Sequence, residues 1–158
     1  MPVGKLKELL DREEVKYVSI AHSPAFTAQE IAASAHIPGK EVAKTVMVKL
    51  DGTVAMAVLP APARVDLDRL RDIAGAGEIE LAGEAEFKRL FPECETGAMP
   101  PFGNLYGLDV WVDRLLAEDE EIAFNAGSHA ELIRMGYGDF ERLVKPKLAE
   151  FATPKVEA

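Results

Sequence analysis

The chain has 158 residues, 48% hydrophobic and 28% charged, a globular composition that excludes wholesale disorder and fits one domain over residues 1–158. No apolar run reaches the ~18 residues of a spanning helix, and Met1 to Leu10 lacks a signal-peptide core, so a cytoplasmic protein is expected. Eighteen basic and 27 acidic residues leave a net charge of −9, which disfavours a duplex-coating protein but not one that touches only the tip of a nucleic acid.

In chain order, Val3, Leu6, Leu9 and Leu10 form a helical stripe, and Lys16 to Ala21 alternates as a strand does. Thr27-Ala-Gln-Glu30 has the spacing of a capping box, with Ile31, Ala32 and Ala35 on the helix it opens and Pro38-Gly39 as its stop. Thr45 to Leu50 and Thr53 to Leu59 are β-rich runs joined by Asp51-Gly52, the residues of a type I′ hairpin turn. Asp66 then caps a helix whose inner face is Leu67, Leu70 and Ile73. A second short helix is expected over Glu84 to Phe91, ended by Pro92. Glu95 to Gly107 carries too many glycines and prolines for regular structure. Asp109 to Asp113 and Glu121 to Asn125 alternate as strands, and a turn follows at Asn125-Ala-Gly-Ser-His129. Ser128-x-x-Glu131 fits a capping box, but Leu132 to Met135 equally fits a strand. A closing helix is expected over Asp139 to Val144, with a frayed tail from Thr153. The alternation of helix and strand, without internal repeats, gives an α/β or α+β domain.

The familiar catalytic signatures are missing: no GxSxG elbow, HExxH, CxxC pair or P-loop occurs. His22, His36 and His129 lack metal-ligand spacing, so neither a metal nor a cofactor is expected. Asp66-x-Asp68 and Glu118 to Glu121 read as a helix start and a solvated acidic loop rather than as cation ligands. Cys94 is the single cysteine, which suits a reducing compartment. A Cys94 nucleophile paired with His129 is disfavoured, because Glu93 and Glu95 flank the thiol and raise its pKa. In Gly97-Ala-Met-Pro-Pro101 the prolines fix the backbone and the glycine frees it, giving a rigid loop with exposed N–H groups that suits a developing oxyanion. Lys44 stands in an otherwise apolar strand beginning, where an isolated lysine is more often a surface group than a ligand.

As an ordered set, these segments resemble the YbaK/prolyl-tRNA-synthetase editing-domain family. They are Thr27-Ala-Gln-Glu30, Ile37-Pro-Gly-Lys-Glu-Val-Ala-Lys44-Thr-Val, Phe91-Pro-Glu-Cys-Glu-Thr-Gly97-Ala-Met-Pro-Pro101-Phe-Gly103 and Phe124-Asn-Ala-Gly-Ser-His129. The resemblance implies a mixed, twisted, partly barrel-like sheet flanked by helices, with a pocket at one end. It also implies a trans-editing deacylase that hydrolyses the ester of mischarged tRNA.

Carried over by position, Lys44 would hold the phosphate or ribose end of the terminal adenosine. The Gly97 backbone would face the ester carbonyl, and His129 would shape the pocket and hold substrate or water. Thr27, Thr45, Ala98, Met99, Pro100, Pro101, Gly127 and Ser128 are the implied substrate-binding residues. The attacking water would be assisted by a hydroxyl of the tRNA's own ribose, in keeping with the lack of a convincing protein base.

Lys40, Lys44, Lys49 and Arg64 are expected to form a local cationic rim for the tRNA acceptor end, with a synthetase or an elongation factor as a further partner. Among substrates the turn points to alanine on prolyl-tRNA first, then serine, threonine or cysteine. The competing reading from another class is a non-catalytic tRNA- or synthetase-binding module of the same fold.

Overall fold

Asp51 and Gly52 both adopt positive φ, at 50° and 84°, as a type I′ turn requires. The turn joins β2, Ala43–Leu50, to β3, Thr53–Pro60, and fixes their register from Leu50 opposite Thr53 to Ala43 opposite Pro60. The Asp51 carboxylate also accepts from the amides of Gly77 and Glu78. This leads the chain into β5, Ile79–Leu81, which pairs with β2 on its other side. The computed structural model describes residues 4–21, 41–91, 94, 98–128 and 131–154.

The hairpin is the centre of a mixed five-stranded sheet in the order β5-β2-β3-β6-β9. Here β6 is Val110–Asp113 and β9 is Lys147–Ala149. The pairs β3–β6 and β6–β9 are parallel, while the others are antiparallel. A second sheet, β1-β8-β7, is antiparallel, with β1 at Tyr17–Ala21, β7 at Glu121–Asn125 and β8 at Glu131–Gly136. A third pair joins β4, Ala63–Val65, to β10, Ala152–Pro154. Among the described residues these three sheets do not close into a barrel, and the mixed α+β arrangement expected from the sequence takes an open form. The first two sheets meet at one parallel bridge, Val42 to Ala123.

Strand alternation sorts the core. Ala43 and Met47 of β2, Met56 and Val58 of β3, and Ile122 and Phe124 of β7 are buried in one cluster with Phe102 and Phe140. The other face of the five-stranded sheet buries Val48, Ala55, Ala57 and Leu59 with Leu70 and Phe151. Helix Leu67–Ala74 supplies Leu70; Asp66 caps it by accepting from the Arg69 amide at 3.1 Å. Ile73 does not share that inner face: it is 43% exposed, because a helix this short buries only a narrow stripe.

Other differences from the sequence expectations arise from short elements. The helix after Gly83 covers only Glu84–Lys88. A 3-10 turn, Gly103–Tyr106, occupies part of the loop expected to be irregular. Residues 131–136 form a strand, not a capped helix, and the final helix, Tyr137–Val144, begins two residues early. The tail expected to fray is paired at Thr153 opposite Arg64. The capping box at Thr27 and the stop at Pro38-Gly39 lie outside the described residues. No helix among the described residues is long and apolar enough to cross a membrane.

Candidate functional site

The parallel bridge between Val42 and Ala123 sets the geometry of the site. Parallel strands advance together, so Lys44 on β2 and Asn125 on β7 occupy corresponding positions, two residues beyond the bridge. Bridge partners in a parallel pair share a face, and alternation carries Lys44 and Asn125 onto that same face. Thr45 lies on the opposite face with Ala43 and Met47, toward the main core. Before the bridge, Glu41 is held by Arg134 at 3.1 Å, and Arg134 also reaches Glu121 at 3.7 Å. That part-buried ion pair ties the start of β2 to the second sheet.

The two loops singled out by the sequence come together. Gly127 has a φ of 100°, a left-handed conformation that favours glycine, and its amide donates to the Ala98 carbonyl at 2.9 Å. At its other end the 98–101 segment is held by Phe102, whose ring lies 5.5 Å from those of Phe124 and Phe140. Ala98, Met99, Pro100 and Pro101 are all buried, as are Gly127 and Ser128. The expected open loop of exposed N–H donors is therefore an anchored wall over residues 98–101: its two prolines have no N–H, and Met99 joins the main core. Below the turn, the Ala126 amide donates to the Glu131 carbonyl at 3.2 Å and closes the β7–β8 connection. Gly97, His129 and Thr27 lie outside the described residues. Cys94 packs part-buried against the core beside Phe91.

Electrostatics around Lys44 differ from the cationic rim read in the sequence. Lys49 is bound to Glu86 at 2.9 Å and Glu80 at 3.4 Å. The Glu86 and Glu80 hydrogen bonds hold its ammonium above the ordinary lysine range, and Lys49 holds the Glu86 carboxyl below its own. Five residues along a strand also put Lys49 on the face opposite Lys44, so the two do not form one rim; Lys40 lies outside the described residues. The acidic run Glu118 to Glu121 borders a cleft with Glu41 and Arg134, on the far side of the bridge from Lys44. Lys49 with its two glutamates and the acidic run thus both lie away from the face that bears Lys44. Asp66 and Asp68, considered as cation ligands, serve the helix cap and a contact with Arg71 at 3.5 Å.

The sequence places Asn125 in the turn that points to the amino acid removed, without a chemical role of its own. In the structure its Oδ1 is buried and has no hydrogen-bond partner among the described residues. An asparagine at a strand end reads as a turn former, and only the fold reveals that its carbonyl is unused by the turn.

Comparison with known proteins fits this geometry. The model of the aminoacyl-tRNA editing domain matches residues 22–143, which span both loops and Lys44. The multifunctional Ser/Thr-tRNA deacylase ProXp-y of Escherichia coli (strain K12) is 29% identical over 152 residues, covering 93% of this chain and 90% of that protein. A proline–tRNA ligase of Bacillus mycoides (strain KBAB4) is 23% identical over 107 residues, 68% of this chain but 19% of the ligase. Among solved structures, hypothetical protein APE2540 superposes with a TM-score of 0.84 at 20% identity, over 94% of this chain and 99% of that one. A structure described as a candidate trans-editing enzyme for prolyl tRNA synthetase gives 0.80 at 19% identity, over 94% and 95%. With a family model matched across both loops and the lysine strand, the chain belongs to the aminoacyl-tRNA editing domain family, that of YbaK and the prolyl-tRNA synthetase editing domain.

Proposed function

We propose that this chain acts in trans as an aminoacyl-tRNA deacylase, releasing a small amino acid from the 3′ end of a mischarged tRNA. The observation that carries the reading is the Gly127–Ala98 hydrogen bond. It locks the turn before His129 to the loop after Gly97, beside the strand that bears Lys44. Water adds to the ester carbonyl carbon, the bond to the ribose oxygen breaks, and that oxygen takes up a proton to leave free amino acid and tRNA. Lys44 meets a terminal phosphate or the ribose end as a point charge, Gly97 turns its amide toward the carbonyl oxygen, and His129 closes the pocket. An aminoacyl ester is already activated, so positioning and oxyanion stabilisation together supply enough barrier reduction without a strong protein base. The free hydroxyl of the terminal ribose takes the base's place in orienting the water.

The favoured side chains are those of serine and threonine, supported by the Ser/Thr-tRNA deacylase activity for which the 29%-identical relative is named. Alanine on prolyl-tRNA, favoured by Asn125, Gly127, Ser128 and His129 in the turn, is the competing reading. A pocket separates such small groups by only ~1–3 kcal/mol per methylene. The match to prolyl-tRNA ligases supports a synthetase over an elongation factor as any protein partner. The deciding experiment incubates purified protein with Ser-, Thr-, Ala- and Cys-charged tRNAs and follows release of each amino acid. Release of serine or threonine faster than alanine is expected; faster alanine release reverses the substrate order. Binding without release of any would leave the non-catalytic module.

A further inference from the structure

We propose, resting on the deacylase reading, that Asn125 is a substrate-positioning residue whose side-chain carbonyl accepts a hydrogen bond from the free hydroxyl of the terminal ribose. Asn125 Oδ1 is buried and unpartnered among the described residues, and such an acceptor has lost its water without replacement, a cost that persists until a donor arrives. The residue as a whole is only part-buried. Its terminal torsion is broad and two-fold, so a turn of the carboxamide can carry the oxygen out of its buried position to meet a donor. The turn does not need this oxygen: Gly127 N donates to Ala98 and Ala126 N donates to Glu131.

Position selects the donor. By the Val42–Ala123 bridge, Asn125 occupies the position on β7 that corresponds to Lys44 on β2 and falls on the same face, and the two strands stay in contact. Two residues further on, Gly127 is tied to the loop that follows Gly97. Asn125 therefore falls between the group assigned to the phosphate and ribose end and the loop assigned to the ester carbonyl. In an aminoacyl-tRNA the group between those two is the ribose, which keeps one hydroxyl beside the esterified one. The substrate's other strong donor, its α-ammonium, lies beyond the ester carbonyl, on the side away from the ribose. A neutral hydroxyl suits a neutral acceptor there. Held by Asn125, that hydroxyl keeps its own oxygen directed at the attacking water.

The test is a cycle between protein and substrate. Single-turnover release of serine is measured for wild type, Asn125→Ala and Asn125→Asp. One tRNA ends in adenosine, and the other ends in 2′-deoxyadenosine charged at the 3′ oxygen. Asn125→Ala is expected to slow release from the ribose substrate about five- to tenfold, the worth of one hydrogen bond, and to add little on the deoxy substrate. Asn125→Asp, which keeps an acceptor, is expected to retain more of the ribose-dependent rate than the alanine variant. Melting temperature should not fall in Asn125→Ala, because removing an unpaired acceptor costs no hydrogen bond. Equal losses on the two substrates, or no loss on either, would overturn the assignment while leaving the deacylase reading intact. A wild-type protein that releases no amino acid from any tRNA of the panel would overturn both.

Discussion

The Gly127 amide donates to the Ala98 carbonyl at 2.9 Å, from a backbone φ of 100°. This bond makes one unit of two loops that lie about thirty residues apart in sequence. It also explains why the turn needs glycine: only there does the amide swing toward Ala98 without a Cβ penalty.

Gly127→Ala is accordingly expected to cost ~1–2 kcal/mol of stability through left-handed strain, or about 2–4 °C of melting temperature per kcal/mol for a chain of this size. Deacylation should fall further than stability does, because the 98–101 wall loses the partner that sets its position. Melting curves and single-turnover rates on one preparation check this. A variant that keeps both full rate and full melting temperature would dissociate the bond from function.

Lys44→Ala is expected to nearly abolish release of the preferred amino acid while leaving the fold intact. Strand pairing at this position is carried by the backbone register with Leu59 and by the buried neighbours Ala43 and Met47, not by the ammonium. Circular dichroism with a turnover assay decides, and wild-type turnover in the folded variant would remove Lys44 from the site.

How much of this was legible in the sequence depends on the range of the signal. The Asp51-Gly52 hairpin was readable because its turn chemistry is local, and Asp66 because its cap is a three-residue relationship. The loop residues 98–101 and 127–128 were readable as a set, through resemblance, but not their joining, which is a long-range hydrogen bond. Strands β4, β5, β9 and β10 have three residues each, too few for a period of two to be recognised. Their pairing comes from tertiary partners: Ile79–Leu81 adds to β2 because Asp51 captures Gly77 and Glu78. Lys49 was misread for a related reason. Its sequence neighbours are apolar, and the two glutamates that neutralise it arrive from β5 and the helix Glu84–Lys88.

Asp113 shows the same dependence on remote partners. It is 2% exposed, and its carboxylate accepts from the amides of Leu115, Phe151 and Ala152 at 2.9, 2.9 and 2.8 Å. It thus caps helix Arg114–Ala117 and fastens the chain at the start of β10. Asp113→Ala strands three backbone donors and is expected to destabilise the fold by about 3 kcal/mol. Activity should persist at low temperature, because β3 separates β6 from the strand that bears Lys44. Urea denaturation gives the stability change; an unaltered midpoint would contradict the clamp.

Salt tests how much of the tRNA is gripped. If only the acceptor end is held, few phosphates are neutralised, and each contributes ~0.7–0.9 to the slope of log K against log salt. With Lys49 already paired and a net charge of −9, a slope of magnitude about 1 to 3 is expected. A slope near 6 or steeper, measured by titration of tRNA binding at several salt concentrations, would show that the tRNA body is gripped as well.

Gly97 and His129 separate an enzyme from a binding module. If the Gly97 amide stabilises the ester oxygen mainly as charge develops, Gly97→Ala acts by adding a methyl group or shifting φ, and the chemical step suffers more than tRNA binding. Loss of one oxyanion donor typically costs ~10²–10³ in rate, or ~2.7–4 kcal/mol. His129→Ala should be milder and should widen amino-acid selectivity, since its assigned part is pocket shape rather than proton transfer. Were both residues needed only to form their turns, each variant would lose melting temperature and activity together, with unchanged preference among serine, threonine and alanine. The Gly127–Ala98 bond sharpens the comparison, because Gly127→Ala disturbs the shared scaffold of both loops while leaving Gly97 and His129 unsubstituted. A Gly97→Ala rate far below that of Gly127→Ala, at equal tRNA affinity and comparable melting temperature, marks chemistry rather than scaffold. A folded Gly97→Ala protein with full single-turnover rate rules out the oxyanion role.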